Sequence, residues 1–429
     1  MAQGQRSGLR LSTAERTQVG FDMVCLDDLL SSDHVARQVW SYVQGCDLSV
    51  FYERIATVEG EPGRPPIDPA ILMALWLYAT LDGVGSARLL DRLCQQHAAY
   101  RWLCGGVGVN YHTLADFRTD AVEVLDAWLT QSVAGLAAAG VVGLECLEVD
   151  GVRVRAGAGT SSFRSRSRLN DLQSKAEHKV RNLRAELESD PAASANRSRQ
   201  RELQRAEEQK ARIEAAQKAA AAIAEDKKRR AKEQRRKPKP EDDETRASTT
   251  DGEARIMRMA DGGYRPAFNV QFKTDPKSVC IVGVEVTNKG SDRGQLCAAV
   301  DEIEMRYGRP PRQLLADGGY DGKDDIEALH ARGTEVFVPL SGSKGNKAPV
   351  DVRSKEGPGV VAWRRRMSTD EGIAIYQKRF PCERPHADMR NRGLQRFPVR
   401  GLRKAKAVVL WFVHAYNFVM AKRLAPHFA

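Results

Sequence analysis

The stretch Leu144-Glu-Cys-Leu-Glu-Val-Asp-Gly-Val-Arg-Val-Arg-Ala156 alternates apolar and polar side chains and is rich in β-branched residues, the pattern of a strand with one face in a core. It divides the chain. Further strands are expected at 267–272 and 279–286, followed by a helix at about 292–306, a short strand at 313–316, a helix near 323–331 and a strand at 335–339. Three strands followed by alternating helix and strand describe an α/β or α+β domain. From about 371 to 424 the chain returns to helix, rich in Arg, Lys and large apolar residues.

Before the first strand the periodicity is helical. The turn Pro65-Pro-Ile-Asp-Pro69 precedes a dense apolar segment containing Ile71, Leu72, Leu75, Trp76, Leu77 and Tyr78. Leu89, Leu90, Leu93, Tyr100 and Leu103 predict a second helix, stopped by Gly105-Gly106. Thr113-Leu-Ala-Asp116 has capping-box spacing, and Leu114, Phe117, Val122, Leu125, Trp128 and Leu129 continue a helical stripe. Helix, glycine turn and capped helix fit either a DNA-reading helix-turn-helix or a plain bundle, and both remain open at this point.

An interruption separates the first strand from the next. Between 164 and 263 there is no Phe, Tyr or Trp, and the segment 171–240 carries 20 Lys/Arg against 12 Asp/Glu. Two runs of strong helix formers, 171–188 and 197–237, are separated by Ser-Asp-Pro-Ala-Ala-Ser-Ala-Asn and closed by Lys237-Pro-Lys-Pro240. Leu172, Val180, Leu183 and Leu187 face Leu203, Ile213 and Ile223 only sparsely, so the segment reads as a protruding charged helical hairpin. A solvated arm and a DNA-touching arm both fit it.

The 429 residues carry 67 Lys and Arg against 56 Asp and Glu, and the pI is near 9.3. That excess suggests a polyanionic partner. Much of it is local, since 363–429 holds 15 Lys/Arg against four acids. The most apolar run, 69–81, is too short to span a bilayer, and the N-terminal polar stretch lacks a signal-peptide core, so neither membrane insertion nor secretion is expected. Eight scattered cysteines contain no C-x-x-C and read as ordinary reduced residues, not a zinc site.

Phosphodiester chemistry with two metal ions needs carboxylates on rigid elements. Asp150 lies in the first strand and is followed by glycine, with Glu148 as a local rival of the same side-chain parity. Asp317, in Leu315-Ala-Asp-Gly-Gly-Tyr320, follows a short strand, where α/β sheets commonly place ligands. Its rival Asp261 lies in the similar Met259-Ala-Asp-Gly-Gly-Tyr264 but precedes its strand. Glu383 belongs to a stripe with Tyr376, Arg379 and Arg390 at helical spacing, although Pro381 and Pro385 argue against one uninterrupted helix.

The order Asp150, Asp317, Glu383, with Tyr376, Arg379, Glu383 and Arg390 in a Y-(2)-R-(3)-E-(6)-K-like arrangement, resembles bacterial insertion-sequence transposases of the DDE class. The departure is Arg390, where that signature has Lys. Arg64-Pro-Pro-Ile-Asp-Pro69, Tyr100-Arg-Trp-Leu-Cys-Gly-Gly106 and Asn110-Tyr-His-Thr-Leu-Ala-Asp-Phe117 are similar to the family's N-terminal helical domain, and Gly263-Tyr-Arg-Pro-Ala-Phe-Asn-Val-Gln271 to its catalytic core. The resemblance implies an α+β chain in which an all-α domain (1–140, DNA binding or dimerisation) precedes an RNase H-like, retroviral-integrase-like α/β/α catalytic domain (141–429) carrying a charged helical insertion (164–250). Asp150, Asp317 and Glu383 would hold Mg²⁺, two ions with Mn²⁺ as a substitute, and Tyr376, Arg379 and Arg390 would hold DNA. The implied reaction is hydrolytic cleavage at the element's terminal inverted repeats, followed by transesterification of the 3′-hydroxyl into target DNA. It would be carried out by a homodimer in the cytoplasm, at the nucleoid. The alternatives are an RNase H-like nuclease without strand transfer and a non-catalytic DNA-binding protein.

Overall fold

The structure, a computed structural model, describes residues 25–53, 55, 65–189, 197–233, 245–340 and 356–425. The polar N-terminal stretch, Arg64 and the Lys237-Pro-Lys-Pro240 closure lie outside these residues.

The chain opens with helices α1 (Val35–Gln44), α2 (Ser49–Tyr52) and α3 (Pro69–Leu81). Asp68 caps α3 by accepting the Ala70 N–H at 2.8 Å, and Pro69 occupies the first turn, where its missing N–H costs nothing. Every residue of α3 from Pro69 to Thr80 is buried, so it has no solvent face and must be wrapped; α1, the helices Ala98–Cys104 and Tyr111–Asp120 and the C-terminal helix do this. The second expected helix is instead two, α4 (Ala87–Gln96) and α5 (Ala98–Cys104), because His97 between them is extended at φ −105° and ψ 130°. The proposed capping box at Thr113 is not the start of its helix. Asn110 is the cap, accepting the Thr113 N–H at 3.0 Å, and α6 runs Tyr111–Asp120. The long apolar stripe after it breaks at Ala121, beyond which α7 spans Val122–Ala138.

Strand β1 (Cys146–Arg155) is followed by β2 (Phe163–Ser165), α8 (Arg166–Ser189), α9 (Arg197–Glu233) and β3 (Arg246–Ser248). β2 and β3 pair antiparallel and form the stem from which the α8–α9 hairpin projects. The hairpin's apolar contacts are few, as its composition implies: Val180 and Leu183 meet Ala206, and Leu169 meets Ala216, Ala220 and Ala247.

Strands β4 (Arg255–Arg258), β5 (Tyr264–Thr274) and β6 (Ile281–Thr287), helix α10 (Leu296–Tyr307), strand β7 (Gln313–Ala316), helix α11 (Lys323–Ala331) and strand β8 (Glu335–Phe337) complete the α+β block. β1 is central. It pairs antiparallel with β5 and parallel with β7; β4 and β6 add antiparallel to β5, and β8 adds parallel to β7. An antiparallel half joined through β1 to a parallel half is the RNase H-like layout. No described helix is long and apolar enough to cross a membrane.

After α12 (Pro358–Met367) the expected C-terminal helix is broken, as Pro381 and Pro385 require: α13 (Asp370–Gln377), a 3-10 turn Phe380–Glu383, α14 (Arg384–Asn391) and α15 (Leu402–Leu424) follow in turn. α15 is buried through its middle, from Ala407 to Phe418, and packs on α3, α6 and α7 as well as on β6. Its Trp411 indole donates to the Arg118 carbonyl at 3.1 Å, while Asn417 exchanges two hydrogen bonds with the Ile281 backbone at 2.7 and 2.9 Å. The helical region and the sheet therefore share one continuous apolar core.

Candidate active site

β1 places Glu148 and Asp150 on one face because side chains two apart along a strand share a side. Asp150 lies opposite Phe272 of β5, and its neighbour Val149 lies beside Ala316, the last residue of β7. One residue further, Asp317 leaves β7 and caps the 3-10 turn Gly318–Tyr320, accepting the Gly319 N–H at 2.8 Å. The two aspartates are thus set side by side, each one residue past the point where the parallel β1–β7 pairing stops.

Burial alone would raise the pKa of Asp150. The hydrogen bond and charge of His386, the Gly151 N–H at 2.8 Å and the charge of Arg379 outweigh it, and its carboxyl is held below the usual range. Asp317 moves the other way: burial dominates, and the charges of Asp150 and Asp292 add to it. Glu148 is completely buried, and neither of its carboxylate oxygens has a hydrogen-bond partner. Burial first, and then Asp150, Asp317 and Glu383, push its carboxyl well above the ordinary range against the pull of Arg379. The guanidinium of Arg379 stands 3.6 Å from Glu148 and 5.7 Å from the Tyr376 ring centroid. Glu383, at the end of the Phe380–Glu383 turn, is exposed, as is Arg390 on α14.

Asp150, Asp317 and Glu383 are therefore brought into one electrostatic neighbourhood with Glu148 and Arg379. Arg379 is only 9% exposed and faces acids, and Tyr376 is half-buried beside it. Asp261 does not join them. It lies in the β4–β5 turn, paired with Arg265 at 2.8 Å. Sequence reasoning missed His386, Asp292 and Gln271. His386 follows Glu383 by three positions, a helical spacing that could have drawn attention to it; Asp292 and Gln271 carry no local signal.

The donor set suits a hard divalent cation, since four carboxylates face a single nearby arginine and the Glu148 oxygens are unsatisfied. Among the described residues no three His, Cys, Asp or Glu side chains are close enough to hold an ion by themselves. Oxygens from substrate or water would have to complete any coordination shell here, which is common for Mg²⁺.

Residues 243–418 match the family model described as Transposase DDE domain, and residues 24–120 match that described as Transposase domain (DUF772). Asp317 and Glu383 fall inside the first match, whereas Asp150 lies between the two. No curated protein and no solved structure matches the chain significantly.

Proposed function

The chain belongs to the DDE transposases of bacterial insertion sequences, and on that footing we propose that it binds the terminal inverted repeats of its own element, hydrolyses the DNA strand at each end and joins the freed 3′-hydroxyls to target DNA by transesterification. Asp150, Asp317 and Glu383 are the residues that hold the divalent ions, Mg²⁺ with Mn²⁺ as a substitute. When bound there, such ions sharpen the attacking oxygen and neutralise the leaving one in an in-line displacement. What carries this reading is the placement of Asp150 and Asp317 side by side, each one residue past the β1–β7 pairing, with the exposed Glu383 in the same field.

The protein's own groups do the remaining work. His386 orients Asp150, and the buried Arg379 offsets the repulsion among the acids while Tyr376 covers it. Arg390, exposed on α14, is free to meet a DNA phosphate in the role that the YREK signature gives Lys. Water is the nucleophile for cleavage and the 3′-hydroxyl for joining, so no covalent protein–DNA intermediate forms. Two ends must be joined, which calls for a homodimer, and the substrate places the work at the nucleoid. We read 1–140 as the DNA-binding or dimerisation domain, 141–429 as the catalytic domain and 164–250 as its insertion.

The test is end-specific cleavage of DNA carrying the element's termini, in Mg²⁺, by wild type and by Asp150→Ala, Asp317→Ala and Glu383→Ala. Each substitution should abolish nicking while DNA binding persists in a mobility shift. A wild type that binds ends but never cuts, or variants that cut normally, would sink the assignment. Cleavage without joining would leave the nuclease reading in its place.

A further inference from the structure

Behind the face that carries Asp150 lies a second polar group that the proposed reaction does not use. Asp292, in the loop between β6 and α10, is 8% exposed. Its Oδ1 accepts the amide N–H groups of Asn269 at 2.7 Å and Gln271 at 2.9 Å, and its Oδ2 accepts Arg153 Nη2 at 2.7 Å. Asn269 and Gln271 lie on β5 directly opposite Arg153 and Gly151 of β1, so all four residues share the sheet face away from Asp150. Both carboxylate oxygens are thus occupied by protein donors, and Asp292 is not available as a ligand.

Two features tie this group to the acids. Gly151 follows Asp150, and a Cβ there would lie 2.4 Å from Asp292 Oδ1 and 2.6 Å from Gln271 Nε2. The Asp292 side chain therefore rests on the backbone of the residue next to Asp150, in space that only glycine leaves open. On the other side, the Tyr320 hydroxyl donates to Gln271 Oε1 at 2.6 Å, and Tyr320 ends the same 3-10 turn that Asp317 caps. Asp292 Oδ2 also lies 3.7 Å from where a Gly319 Cβ would be. One chain of contacts, Gly151–Asp292–Gln271–Tyr320, spans from the strand of Asp150 to the turn of Asp317.

We propose that Asp292 is a positioning residue that fixes the separation of Asp150 and Asp317 from the back of the sheet, with Gln271 and Tyr320 as its link to the second acid. The proposal rests on the metal-binding reading above. Arg153 takes one oxygen of the buried Asp292 carboxyl at 2.7 Å and leaves the other to hold two amide donors at once, and those amides define where β1 and the Asp317 turn sit. Outer groups of this kind set ligand geometry, and their loss commonly costs about 10–100-fold in metal affinity.

The test is Mn²⁺ binding to the full-length protein without DNA, followed by electron paramagnetic resonance of the free ion, together with thermal melting and end cleavage. Asp292→Ala should weaken Mn²⁺ binding about 10-fold or more. Tyr320→Phe removes only a hydroxyl, so it should melt close to wild type yet bind Mn²⁺ several-fold more weakly. Gly151→Ala should also weaken binding, because its methyl would collide with both Asp292 Oδ1 and Gln271 Nε2. Folded Asp292→Ala and Tyr320→Phe proteins that bind Mn²⁺ and cut like wild type would reduce this group to a loop staple and overturn the proposal. A wild type that binds no Mn²⁺ would sink the metal reading and this proposal with it.

Discussion

His386 Nδ1 stands 3.2 Å from Asp150 Oδ2, joining helix α14, which starts one residue after Glu383, to the central strand of the sheet. The imidazole packs on Phe272, with ring centroids 5.0 Å apart, and its buried Nε2 has no protein partner. The contact sets the angle of the Asp150 carboxylate and the approach of the Glu383 helix together.

His386→Ala should therefore lower the rate of end cleavage about 10–100-fold with little change in affinity for end DNA, since the side chain orients a ligand and does not touch the duplex. Single-turnover cleavage at saturating DNA, beside a mobility-shift titration, separates the two quantities. Equal losses in both would mean that the histidine serves DNA binding instead.

Glu148 and Arg379 form a buried ion pair without a hydrogen bond, at 3.6 Å, in a field of other acids. Removing the cation leaves those acids uncompensated, so Arg379→Ala should lower metal-free stability by about 3 kcal/mol. Glu148→Gln removes a repelled, unsatisfied charge and should leave stability within about 1 kcal/mol of wild type, or raise it. Denaturant melts in EDTA give both values, and a Glu148→Gln protein destabilised as much as Arg379→Ala would show that the pair is a net stabiliser.

A second buried network binds the helical region to the sheet. Glu302 of α10 meets Lys273 of β5 and Arg306, whose guanidinium also reaches Asp126 and Thr130 of α7. Burial opposes the charge on Glu302, yet Lys273 and Arg306 hold its carboxyl at about 2, below its ordinary 4.5. Glu302→Gln should cost about 3–5 kcal/mol at neutral pH, because it takes the carboxylate from buried Lys273 and leaves buried Arg306 with Asp126 alone. Because the folded value is the lower one, that contribution is complete above pH 4.5 and is lost as pH falls through 2. The gap between wild type and variant in urea midpoint should close over that window; a gap constant with pH would rule out an ionised Glu302.

Five of the six sheet strands were legible because each is either alternating or a short apolar run bounded by turn residues; β4, four residues with Arg at both ends, gave no such signal. The helical hairpin was legible because 164–263 has almost nothing to bury. What local pattern did not reveal were breaks imposed by packing. The apolar stripe from Leu114 to Leu129 continues in phase across Ala121, and only the tertiary fit of α6 and α7 around α15 divides it. The acids show the same limit. Asp150, Asp317 and Glu383 were found through their order and surroundings in sequence, and Asp317 was separated from Asp261 by its place after a strand. His386, Gln271 and Asp292 act through contacts across the sheet or between elements. Nothing beside Gln271 or Asp292 in the chain marks them, and His386 has only its spacing from Glu383.

The last prediction concerns α15, where His414 is buried against Trp128 with ring centroids 4.0 Å apart. Its neutral ring donates from Nε2 to the Leu125 carbonyl at 2.9 Å, and Nδ1 has no partner. Burial lowers its pKa from 6.5 to about 4; the Leu125 carbonyl and Asp126 oppose that shift, and Arg306 adds to it. The unfolded chain therefore takes up a proton near pH 6.5, while the folded chain refuses it until about pH 4. Stability should fall with acidification across that interval, by about 1.4 kcal/mol per pH unit. Measuring between pH 6.5 and 4.5 keeps clear of the Glu302 window and should capture about 2–3 kcal/mol. His414→Gln offers an amide N–H in place of the ring and does not titrate, so its stability should lose about 2–3 kcal/mol less than wild type over the same interval. Parallel slopes for the two proteins would mean that the ring accepts its proton in the folded state, and that the core around α15 admits a charge.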